Sequence, residues 1–119
     1  MAARFAALAG GQDPDTLFVA CSDSRVDPSL ITQTQPGEIF VLRNAGNVIT
    51  PYGTDGGVDS AVEYAVAALD VKRIVVMGHS GCGAVGGALN PDSLGALPAV
   101  REWVSHLQDT AEATAHLTG

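Results

Sequence analysis

The 119-residue sequence predicts an α/β fold, a parallel β-sheet core flanked by helices. Three observations carry that expectation. Short apolar runs at Leu17–Ala20, Glu38–Leu42 and Ile74–Met77 have the length and residue types of strands. Segments with helical spacing or helix-start signals separate them, as a parallel sheet with crossover connections requires. The residues richest in chemistry follow directly after the first and third runs, and sites in such sheets gather at the carboxyl ends of strands.

Each element has its own local reason. Met1–Ala9 is alanine-rich and helical, stopped by Gly10-Gly11. Leu17–Ala20 is continuously apolar, as is Arg73–Met77 after its first residue, and both read as strands buried on both faces. Asp27-Pro28 opens a short helix to about Gln33, with proline in the first turn. Pro36-Gly37 is a turn before the second strand. Residues 44–57 are rich in glycine, asparagine and proline and read as a long irregular loop, the kind of segment that often carries function. Val58, Ala61, Val62, Ala65, Val66 and Leu69 recur at helical spacing, which predicts an amphipathic helix over 57–69. A small-residue helix, Cys82–Leu89, is broken by Pro91–Gly95. A last helix over Pro98–Ala115 is polar on one side, and His106 and His116 read as exposed histidines there. No repeat, low-complexity tract or linker divides the chain, so residues 1–119 read as one domain.

Composition narrows the partners. Hydrophobic content is 46%, typical of a globular chain, and the formal net charge is −7, from 6 basic and 13 acidic residues. The few cations are scattered, which argues against nucleic acid as a partner. No run approaches the ~18 apolar residues of a membrane span, and residues 1–10 lack a secretory pattern. The expected location is cytoplasmic.

Cys21-Ser-Asp23-Ser-Arg25 and His79-Ser-Gly-Cys82 hold the chemistry. The two cysteines have the number for one disulfide, but their placement beside Asp23 and His79 makes metal binding the better reading, which also suits a reducing compartment. Two thiolates and an imidazole suit zinc, and three protein ligands with a free fourth position suit a catalytic ion. In an extended segment Cys21, Asp23 and Arg25 share one face of the strand exit. His79 and Cys82 are three apart, where a turn or first helical turn brings them to one ion, and Cys82 falls near a helix N-terminus. Two other patterns are weaker. Gly81-Cys-Gly83-Ala-Val-Gly86 satisfies the dinucleotide pattern but follows the third strand, with no acidic residue at the right distance. Gly78-His-Ser80-Gly-Cys82 nearly makes a nucleophile elbow, but its last glycine is a cysteine.

The stretches Ala20-Cys-Ser-Asp-Ser-Arg-Val26, Pro36-Gly-Glu38, Arg43-Asn-Ala-Gly46 and Gly78-His-Ser-Gly-Cys-Gly83 together resemble the β-class carbonic anhydrases, from about Gly11 to Leu89. The resemblance implies one zinc per chain on Cys21, His79 and Cys82, and an aspartate–arginine dyad at Asp23 and Arg25. It also implies a substrate contact from Gln12, pocket walls from Phe40 and Tyr64 at a subunit boundary, and a backbone amide at Gly83 facing the substrate. The implied reaction is reversible hydration of CO2 to bicarbonate and a proton through a zinc-bound hydroxide, in a homodimer or higher even oligomer. The allosteric branch carries a tryptophan three residues before the first cysteine; Phe18 here points to the non-allosteric type. The family's usual N-terminal helical arm and C-terminal segment are expected to be missing. That expectation sustains an alternative function, a catalytically impaired zinc-binding or regulatory module on the same fold.

Overall fold

A computed structural model describes residues 1–107. Its centre is β1 (Thr16–Cys21), six residues that are all buried. Parallel neighbours flank it on both edges: β2 (Ile39–Asn44) and β3 (Arg73–Val76), in the order β2–β1–β3. In register, Thr16 lies opposite Ile39 on one side and Arg73 on the other. Alternate residues of β1 feed opposite layers. Leu17 and Val19 pack with Ala65, Phe40, Leu42, Val62 and Val71, while Phe18 and Ala20 pack with Val26, Ile39 and Met77.

The helices begin and end where local chemistry allows. α1 (Ala2–Leu8) buries no residue and is tied to the 36–37 turn by Arg4 Nε donating to the Pro36 carbonyl at 2.8 Å. α2 (Pro28–Thr32) is capped by the Asp27 carboxylate, which accepts from Leu30 N, and ends at Gln33 in the left-handed region. α3 (Gly56–Glu63) is capped in the same way by Asp55, which accepts from Val58 N at 3.0 Å. α4 (Gly83–Leu89) starts directly after Cys82, and its Gly87 lies against Leu94 with no room for a Cβ. α5 (Pro98–Val104) packs on α4 through Val104, Ala88 and Leu94.

Four expectations need correcting or bounding. The predicted 57–69 helix is α-helical only to Glu63. Residues Tyr64–Ala68 form a wider π turn closed by Leu69 N donating to the Tyr64 carbonyl. That widening takes Val66 out of the apolar stripe, and it is 49% exposed. β3 is not buried: all four residues are exposed, and among the described residues none of them joins a core cluster. The chain does not stay extended after Cys21. Val26 N donates to the Asp23 carbonyl at 2.9 Å, closing a turn. The predicted last helix is α-helical over Pro98–Val104, then 3-10 over Ser105–Leu107; its remainder, with His116, lies outside the described residues.

Because β1 supplies the central contacts, Leu17→Ala should lower unfolding stability by ~3 kcal/mol in urea titrations. Leu30→Ala, at a residue 76% exposed, should change it by less than ~0.5 kcal/mol. Equal effects would refute β1 as the core.

Candidate metal centre

The parallel pairing of β1 with β3 brings the two motif segments side by side. Val19 lies opposite Val76, and Met77 N donates to the Val19 carbonyl at 2.8 Å, so β1 runs two residues past the end of β3 alongside the segment that follows it. Cys21 is the last residue of β1, and His79 and Cys82 follow β3 within one turn. Gly81 makes that turn at φ +67°, a region that side chains disfavour, and delivers Cys82 to the N-cap of α4.

The donor atoms of Cys21, His79 and Cys82 all lie within 4.8 Å of one another. The two sulfurs are 3.8 Å apart, too far for a disulfide, and both cysteines are free. A tetrahedral zinc with Zn–S bonds of ~2.3 Å sets two sulfurs ~3.8 Å apart. Nδ1 of His79 lies 2.9 Å from the Ser80 carbonyl. A carbonyl only accepts, so Nδ1 carries the proton and the lone pair sits on Nε2. That Nε2 is buried without a hydrogen-bond partner, which is how a ligating nitrogen looks. The donor set fits a soft, tetrahedral cation.

Backbone groups complete the surroundings of Cys21. Its sulfur accepts from Asp23 N at 3.4 Å and from Gly46 N at 3.3 Å. Burial pushes the Cys21 thiol up, but the adjacent His79 ring, these two amides and Cys82 outweigh it, bringing the pKa to about 7. His79 is raised, chiefly by the neighbouring Cys21 sulfur and against the effect of burial. Gly46 is required by geometry. It sits at φ +87°, and a Cβ there would meet the Ala84 side chain at 3.0 Å.

Asp23 and Arg25 form a closed unit on the turn. Asp23 Oδ1 accepts from both the backbone N and Nε of Arg25 at 2.9 Å, and Oδ2 accepts from Nη2 at 2.6 Å. This side-chain-to-backbone turn, rather than an extended strand exit, is what pairs the two residues. The fork holds the Asp23 carboxyl well below the usual carboxylate range. Arg25 Nη2 also donates to the Gly81 carbonyl at 3.1 Å, bridging the two motif loops. Asp23 Oδ2 lies 3.8 Å from His79 Nε2, beside the donor cluster.

The other predicted residues divide. Gly83 opens α4 next to Cys82. Gln12, Phe40 and Tyr64 do not join the cluster. Phe40 lies opposite Leu17, four residues or ~13 Å of strand before Cys21, and stacks on Tyr64 with ring centroids 5.8 Å apart. Gln12 is exposed and precedes the amino end of β1, whereas Cys21 ends it. The larger clefts, of about 510 and 460 Å³, are lined by other residues. Donor chemistry rather than depth therefore marks this site. Sequence reasoning quoted Arg43-Asn-Ala-Gly46 without giving any of it a task. Gly46 N on the Cys21 sulfur is the contact it missed, and no local pattern announces an amide donor 25 residues from its acceptor.

Comparison with known proteins decides the family. The carbonic anhydrase family model matches residues 16–119. The chain belongs to the β-carbonic anhydrases. It is 53% identical over 108 residues to a carbonic anhydrase of Synechocystis, covering 89% of this chain and 39% of that protein. The structure of the β-carbonic anhydrase CcaA superposes with a TM-score of 0.92 at 49% identity, over 97% of this chain and 52% of that one. A tetrameric β-carbonic anhydrase from the ascomycete Sordaria macrospora superposes with a TM-score of 0.84 at 42% identity, over 94% of this chain and 55% of that one. The chain thus spans about half or less of the length of these relatives.

Replacing Cys21 or Cys82 by serine should abolish stoichiometric metal binding, read by elemental analysis after gel filtration. A full equivalent of metal retained by either variant would remove that residue from the donor set.

Proposed function

We propose that this chain carries a zinc site for the reaction CO2 + H2O ⇌ HCO3− + H+. The observation that carries the reading is the convergence of the Cys21 and Cys82 sulfurs on the partnerless Nε2 of His79. A zinc held there supplies Lewis-acid activation of a water molecule, lowering its pKa toward neutrality. Two thiolate ligands soften that acidification relative to a three-histidine site, because they offset the ion's charge.

The chain's own residues do the rest. Ser80 fixes the His79 tautomer so that Nε2 offers its lone pair. Asp23 stays ionised, and Arg25 occupies both carboxylate oxygens, keeping them out of the donor group. In that position the carboxylate orients the attacking water by accepting its hydrogen bond. The amide of Gly83, at the start of α4 beside Cys82, is the group we assign to the substrate oxygen. Gln12, Phe40 and Tyr64 lie too far along the sheet to serve their own cluster, which favours a homodimer or higher even oligomer in which they wall the pocket of a second copy. The free thiols of Cys21 and Cys82 favour a reducing, cytoplasmic setting. No described helix is long and apolar enough to cross a membrane.

Stopped-flow CO2 hydration by the zinc-loaded protein tests the proposal. The rate should exceed buffer and rise between pH 6 and 9; a flat profile would contradict the activated-water reading. Zinc bound without hydration would favour the alternative of a non-catalytic zinc module. Asp23→Asn should keep the metal and lower hydration ~10-fold or more. A near-normal rate would take Asp23 out of the reaction.

A further inference from the structure

The motif turn Cys21–Val26 is held from outside by one side chain. Arg43, next to last in β2, donates from Nε to the Cys21 carbonyl at 3.1 Å, and from Nη2 to the Asp23 carbonyl at 3.1 Å and the Val26 carbonyl at 2.8 Å. Three carbonyls of a six-residue segment converge on one guanidinium. Backbone carbonyls beyond a strand end need such partners, because the sheet ladder no longer supplies them. Ser22 N donates to the Asn44 carbonyl at 2.8 Å, so the β2 exit fastens this segment from two adjacent residues.

We propose that Arg43 is a positioning residue for the metal centre: its clasp on the Cys21, Asp23 and Val26 carbonyls sets the Asp23 carboxylate and the Asp23 amide relative to the Cys21 sulfur. The segment's carbonyls at 21, 23 and 26 meet Arg43, while the amide of Asp23 meets the Cys21 sulfur. Arg25 holds the same turn from the opposite side, through Gly81. Asp23 therefore hangs between two guanidiniums, Arg25 binding its side chain and Arg43 its backbone. The planar fork suits this task, since its donors point in fixed, divergent directions. A lysine has a single ammonium and cannot reach three carbonyls in this geometry.

This inference rests on the zinc reading for its activity measurement only. The test compares wild type, Arg43→Lys and, as a control at a distant surface ion pair with Asp92, Arg101→Lys. Three readouts are taken: hydration kcat and KM, the thiolate-to-metal absorption of the cobalt-substituted protein, and amide exchange resolved by peptide. Arg43→Lys should stay folded and bind one metal. It should lower kcat ~10-fold with little change in KM, and shift or broaden the cobalt spectrum. Amides 22–26 should exchange faster, with those of 16–20 unchanged, and Arg101→Lys should match wild type. A wild-type cobalt spectrum and wild-type exchange at 22–26 in Arg43→Lys would overturn the proposal. So would exchange that accelerates evenly across the sheet, the mark of a merely structural loss. If the wild-type protein binds zinc but hydrates nothing, the proposed function fails, and the spectrum and exchange still decide the role of Arg43.

Discussion

The parallel register between β1 and β3 is the constraint on which the rest depends. With Val19 opposite Val76, the last two residues of β1 run alongside the segment that follows β3, and Cys21 emerges beside the His79–Cys82 turn. A slip of one residue would turn the β1 side chains to the opposite face and carry Cys21 away from its partners. The buried faces of Leu17, Phe18, Val19 and Ala20 oppose such a slip from both layers. Packing of the core and assembly of the donor cluster are thus one event.

Electrostatics explains why so many donors crowd the same corner. Two sulfurs lie 3.8 Å apart and the Asp23 carboxylate lies 3.8 Å from the His79 ring that joins them, an arrangement that gathers negative charge. Unpaired, that charge would be costly in a partly buried place. Amides of Asp23 and Gly46 point at the Cys21 sulfur, and Arg25 grips Asp23. Arg25 occupies both Asp23 carboxylate oxygens, which leaves the two sulfurs and the His79 ring as the candidate donors. Arg25 and Arg43 perform different work on the same turn. One neutralises a side chain; the other satisfies carbonyls.

Apolar exposure on β3 gives the sheet an asymmetric character. Ile74 and Val76 are 52% and 54% exposed, whereas every residue of β1 is buried. An apolar strand with a bare edge is a pairing surface by its nature.

By itself the sequence determined the three strands, the start of α2 and the candidate donors. Apolar runs marked the three strands, Asp27-Pro28 announced α2, and Cys21, His79 and Cys82 announced a soft-metal site through side-chain chemistry alone. These are local properties, legible because strand length, capping and ligand softness depend on neighbours in sequence. Tertiary structure decided the turn at Asp23–Val26, the π turn at Tyr64–Ala68, the exposure of β3, the separation of Phe40 and Tyr64 from the cluster, and the tasks of Gly46 and Arg43. Arg43 reads as an ordinary strand-end cation, and Gly46 as one glycine in a loop rich in them. Their roles come from hydrogen bonds to atoms 17 to 25 residues away, and only the register of the sheet brings those atoms within reach.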